Sequence, residues 1–161
     1  MKPFNSKDHT DAPQQLQFSK MLKSSIDEAW DILSMHEAIS KWIPMVNACI
    51  RKTPGPDGNW EEGCVREVLF GKDTLTETIV HWDEPYGYAY SISDMHIVKD
   101  HVGYFELTKE VDGTRITWTQ YYKPQGNFVK QWLAKNVMLP SVMKKALKNF
   151  EKSLRTLKNT P

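Results

Sequence analysis

EGCVREVLFGKDTLTETIVHW, residues 62–82, reads as two runs of alternating apolar and polar residues that meet at Gly71-Lys72. Val, Ile, Thr and Phe dominate both runs, as in half-buried strands. A Gly-X pair suits a two-residue type II′ turn, because glycine supplies the positive φ that the first turn position needs. Such a turn sets the register: Phe70 faces Asp73, Val68 faces Leu75, and Arg66 faces Glu77. Val68, Leu75 and Ile79 share the face of Arg66 and Glu77, which predicts a paired charge on the inward side. Two readings of that pair stay open. It is either a cross-strand ion pair, worth about 0.2–1 kcal/mol if exposed, or a buried pair in a cavity where either partner anchors a polar ligand group.

Working outward, residues 1–14 are polar with two prolines and read as a flexible arm, followed by one domain over residues 15–158. A strand is expected over 16–23, and Ser25 with Glu28 forms a capping box that starts a helix over 26–33. A second short helical turn over 36–42 stops at Ile43-Pro44, since proline disfavours helix in the residue before it. Period-two patterning places further strands at 46–52, 86–93, 101–111 and 114–122. Asp112-Gly113 reads as the last hairpin turn and sets Glu110 opposite Arg115. The inner face of that hairpin then carries Phe105, Leu107, Ile116, Trp118, Gln120 and Tyr122. From 128 to 157 the pattern is helical with a kink at Pro140, and Met143, Leu147, Phe150, Leu154 and Leu157 form one apolar stripe. The result is an α+β fold. A curved antiparallel sheet of about seven strands wraps around a long C-terminal helix, with two short helices between the first two strands.

Six Trp, six Tyr and six Phe in 161 residues exceed what a minimal core needs. Tyr88 and Tyr90 share a strand face, and tyrosine suits a wall that is apolar in body and polar at one point. Arg66, Glu77 and Tyr90 are therefore candidate polar anchors of a ligand cavity. Trp42, Val68, Ile79, Tyr88, Phe105, Leu107, Trp118, Gln120 and Met143 are its candidate walls, around a space of several hundred Å³. Arg66, Glu77 and His81 are candidate catalytic groups, His81 because plain alternation puts it on the Glu77 face. His96 and His101, with Asp94 and Asp100 nearby, read as turn or rim residues. Twenty-one Lys and Arg against twenty Asp and Glu leave a net charge of +1, too little basic excess for a protein that lives on phosphate backbones. No zinc spacing, Walker loop, dinucleotide fingerprint or nucleophile elbow occurs, so neither metal nor cofactor is expected. Cys49 and Cys64 lack CxxC spacing and read as small buried side chains of a cytoplasmic protein. No apolar run has the length of a signal peptide core or a membrane span. The lysines of the last helix read as a solvated face, and no stable membrane insertion is expected.

SSIDEAWDIL at 24–33, KWIPMV at 41–46, Gly63 with Arg66, TLTETIVHWDE at 74–84, YAYSI at 88–92 and GTRITWTQYYKP at 113–124 together resemble the START and Bet v 1-like helix-grip superfamily, SRPBCC. The closest resemblance within it is to the polyketide cyclase/dehydrase and lipid-transport family. It implies a small-molecule binding protein that holds a hydrophobic or aromatic, lipid- or polyketide-like ligand between sheet and helix. Its alternative is a polyketide cyclase or dehydratase using the same cavity, and its second alternative a protein-interaction module with an apolar outer face, where Tyr104 and Tyr121 point out together. The glycine-rich loop of the plant pathogenesis-related members is replaced here by the tight Gly71-Lys72 turn.

Overall fold

A computed structural model describes residues 1–93 and 95–158. Seven antiparallel strands form one sheet: β1 (Gln14–Leu22), β2 (Val46–Thr53), β3 (Val65–Phe70), β4 (Asp73–Asp83), β5 (Gly87–Ile92), β6 (Val98–Glu110) and β7 (Gly113–Pro124). Their order is β1-β7-β6-β5-β4-β3-β2, so β1 crosses to pair with β7 and every later pair is a sequential hairpin. Between β1 and β2 lie α1 (Ile26–Leu33) and, after a 3-10 turn at His36–Ala38, α2 (Ile39–Trp42). The expected capping box starts α1: the Ser25 hydroxyl accepts from the Glu28 amide while the Glu28 carboxylate accepts from the Ser25 amide.

The C-terminal helix grips the inner face in two parts, α3 (Phe128–Leu133) and α4 (Leu139–Lys158), joined by a π-helical segment at Ala134–Met138. Pro140 has no amide hydrogen for the carbonyl of Asn136, and the chain answers with a wider turn just upstream. Met143, Leu147, Phe150 and Leu154 are buried against the sheet as the stripe predicts. The Leu157 side chain lies outside the described residues.

The β3–β4 register is the expected one, with Phe70 opposite Asp73 and Arg66 opposite Glu77. Gly71 takes φ 60° at the first turn position. The last hairpin differs. Glu110 pairs with Gly113 and Phe105 with Trp118, so Val111-Asp112 is the turn and the ladder is offset by two residues from expectation. An offset of two preserves the faces, so the inner residues stand as read. Gly113 has another task, since a Cβ there would lie 2.0 Å from the Leu22 carbonyl oxygen where β1 ends.

The N-terminal segment is the stretch expected as a flexible arm. It carries a 3-10 turn at Ser6–Asp8 and lies on the outer face of the sheet. The Phe4 ring stacks on Tyr104 at 4.1 Å and meets His81 edge-on at 5.5 Å. Thr10 donates to the Asp100 carbonyl at 2.6 Å, and Ala12 is buried. The outward Tyr104–Tyr121 pair is thus partly covered by the chain's own Phe4.

Candidate functional site

Alternation along β3 and β4 turns Arg66 and Glu77 inward, where both are almost completely buried. The Arg66 Nε and Nη2 each donate to Glu77 Oε2 at 2.8 Å. The Arg66 Nη1 donates to His36 Nδ1 at 3.1 Å, and Nη2 reaches the Tyr88 hydroxyl at 3.5 Å. A charge taken from water needs such company, because each ion loses its hydration on burial. His36 Nε2 donates to the Trp60 carbonyl at 2.7 Å, which leaves Nδ1 the bare nitrogen that can accept from Arg66. Burial first and the Arg66 charge second hold His36 neutral, with its pKa lowered to about 4. Burial raises the Glu77 carboxyl above its usual range, and the adjacent guanidinium opposes that rise.

Beyond this cluster, toward the open end of the sheet, lies a cavity of about 70 Å³. It is lined by Arg66, Glu77, Val68, Tyr90, Phe105, Trp118, Gln120 and Met143, with Ile92, His101, Tyr122 and Val142 among its further walls. Tyr90 organises its polar side. Trp118 Nε1 and Gln120 Nε2 both donate to the Tyr90 hydroxyl at 3.2 Å. His101 Nε2 bonds Gln120 Oε1 in turn. The Tyr90 ring lies across Gly103, where a Cβ would sit 2.3 Å from Tyr90 Cζ. Two buried polar atoms of this wall, His101 Nδ1 and the Tyr122 hydroxyl, have no hydrogen-bond partner among the described residues. Burial holds His101 neutral with its pKa lowered to about 4.

The volume is a correction to the several hundred Å³ expected. Phe70, Leu75 and Met95 border the small cavity and also the floor of an open depression of about 730 Å³, whose rim includes Met45, Lys72, Asp73, His96 and Met138. These three side chains stand between the inner space and the depression.

Of the expected wall residues, Trp42, Ile79, Tyr88 and Leu107 do not border the cavity. They are buried in the packed core. Trp42 meets Phe105 and Phe150 edge-on, and Tyr88 stacks on Trp82. Ile79, Tyr88 and Leu107 share the inner face of the sheet and Trp42 reaches the same core from α2, but all four are enclosed by neighbouring side chains. His81 is on the opposite face. Ile79 pairs with Tyr90 but His81 pairs with Ala89, so Val80 is an extra residue that inverts the alternation. His81 therefore turns outward to Phe4 and Tyr104, and Trp82 turns inward to Trp30 and Tyr88. No Glu77–His81 pair forms. His101, expected at the rim, is instead in the cavity wall, and its even spacing from Phe105 and Leu107 is the signal that finds it. Asp94 lies outside the described residues. His36 escaped notice because its contact with Arg66 joins a helical turn to a strand.

No curated protein matches the chain significantly. Among solved structures it is similar to the protein XoxI from Bacillus cereus, at 16% identity and TM-score 0.71 over 90% of this chain and 98% of that one. A START superfamily protein from Mycobacterium smegmatis matches at 13% identity and TM-score 0.71, over 90% and 99%. The di-domain ARO/CYC StfQ from the steffimycin biosynthetic pathway matches at 12% identity and TM-score 0.71, over 90% of this chain and 51% of that one. These identities speak for the fold alone. A family model covers residues 13–159. With its helix-grip architecture, the chain belongs to the polyketide cyclase / dehydrase and lipid transport family.

Proposed function

We propose that the protein binds a small apolar or aromatic molecule, carrying at least one polar group, in the space between sheet and C-terminal helix. One observation carries this reading: in a largely apolar wall, His101 Nδ1 and the Tyr122 hydroxyl are buried without a hydrogen-bond partner among the described residues. Buried polar atoms are nearly always hydrogen-bonded, so a pair left open on one cavity wall supports a ligand group that completes them. Ligand pockets span about 300–1,000 Å³. Admission of such a ligand therefore involves outward movement of Phe70, Leu75 and Met95, which joins the inner space to the depression above it. The reading places the protein in a reducing cytoplasm, in keeping with two free, buried thiols whose pKa values are raised by burial, Cys49 to about 11. No helix among the described residues is long and apolar enough to cross a membrane.

Native mass spectrometry of freshly purified protein tests the proposal. The expected result is a repeatable bound mass that leaves on denaturation. Tyr122→Phe should lower its occupancy about tenfold, the loss of one buried hydrogen bond. Ligand-free protein from every preparation, with no saturable uptake of an apolar fluorescent probe, would overturn the reading. A second reading, cyclisation or dehydration of a polyketide-like substrate, is favoured by the raised carboxyl of Glu77 on the cavity wall. In that case Glu77→Gln abolishes turnover of a bound substrate while binding persists. Binding with no turnover in the parent protein sets the second reading aside.

A further inference from the structure

Helix α3 is built the wrong way out for a soluble domain. None of its six residues is buried. Phe128 is 79% exposed, Val129 61%, Trp132 53% and Leu133 47%, and Val137 in the following π segment is 50% exposed. At about 100° per residue, Phe128, Trp132, Val129 and Leu133 fill one arc of about 140°. Ala134, the first buried residue of the C-terminal helix, projects from the opposite side, so the apolar arc points away from the body of the protein. Isolated exposed side chains need no explanation, but four large ones on one arc mark an interaction surface.

Charge identifies what that surface meets. Lys130 and Lys135 stand at the two edges of the arc. From residue 128 to residue 150 the C-terminal helix holds five Lys and no Asp or Glu, whereas Arg115 and Lys123 upstream are paired with Glu110 and Asp100. Aromatic and aliphatic side chains on one arc with lysines at its margins suit the boundary between anionic headgroups and acyl chains, where rings partition and lysines meet phosphate. Met138, at the end of the same segment, borders the open depression above the cavity. The surface is therefore continuous with the cavity's outer rim.

We propose that α3 and the π segment form a reversible docking surface for an anionic lipid bilayer, with Phe128 and Trp132 entering the interface and Lys130 and Lys135 binding headgroups. The inference rests on exposure and charge and is independent of what the inner cavity holds. Co-sedimentation of the full chain with vesicles tests it, comparing phosphatidylcholine alone with phosphatidylcholine plus phosphatidylserine. The protein should sediment with the anionic vesicles and lose that binding as salt rises. Phe128→Ser with Trp132→Ser should weaken it at least about tenfold, since each ring gives up more than a kcal/mol of transfer. Lys130→Glu with Lys135→Glu should also abolish the preference for anionic lipid. All four positions are exposed, so near-UV circular dichroism should match the parent and show that folding is intact. Equal sedimentation with neutral and anionic vesicles, no sedimentation, or binding that survives the Phe128/Trp132 change would overturn it. So would a stable dimer in analytical ultracentrifugation that the same pair of substitutions dissociates, because the face would then join two copies of this chain.

Discussion

Each of the three guanidinium nitrogens of Arg66 already has a partner in the protein: Glu77, His36 or Tyr88. The group thus acts first as a tie among β3, β4, β5 and the turn before α2. Removing one member of a buried pair strands the other, at a cost of about 3–5 kcal/mol, whereas replacing both with apolar residues can be close to neutral. Arg66→Met is therefore expected to lose about 3–5 kcal/mol in urea unfolding, and Arg66→Met with Glu77→Leu to recover most of it. A double variant as unstable as the single one would show that the two charges do not compensate each other. The pair was legible from residues 62–82 because a two-residue turn leaves one register. Its third partner was not, since nothing in local spacing tells how far the turn at 36–38 reaches over the sheet.

At the scale of elements, one close approach separates a glycine that matters from one that does not. Gly113 stands where β7 begins beside the end of β1, with φ 145° and no room for a methyl. Gly126, with φ 92°, has nothing within 4 Å of a hypothetical Cβ. Gly126→Ala should cost about 1–2 kcal/mol, the price of the left-handed conformation alone. Gly113→Ala should cost clearly more, because the Leu22 carbonyl cannot move without parting β1 from β7. Equal losses for the two in thermal unfolding would refute the close-approach account. The elements themselves were largely legible, α1 to the residue, because capping and periodicity are local signals. Which face a residue occupies was legible wherever alternation ran unbroken and failed at Val80, a bulge that no residue type announces. Which inward residues border the cavity and which fill the core was not legible at all. Tyr88 and Tyr90 look alike in sequence, yet one is a brace for Arg66 and the other borders the cavity.

For the whole molecule, two neutral histidines buried on the inner side tie stability to pH. His36 and His101 have folded pKa values lowered to about 4, against 6.5 when unfolded. Between these values the unfolded chain binds protons that the native protein refuses, so their contribution is complete above pH 6.5 and is lost as pH falls toward 4. Each adds a slope of up to about 1.4 kcal/mol per pH unit. The urea midpoint should fall steadily across this window, and His101→Gln should flatten the fall by about half. A midpoint that stays constant through the window would mean both rings are protonated in the fold. Finally, the acid-free run from 113 to 150 leaves fourteen cations against twenty acids for the rest of the chain. Five cations of that run, Lys130, Lys135, Lys144, Lys145 and Lys148, lie on the C-terminal helix, so positive charge gathers on one element of a protein whose net charge is only +1. Near neutral pH it should be retained by cation- and anion-exchange resins alike, each holding it by a different side, and it should approach any charged surface in a preferred orientation before touching it.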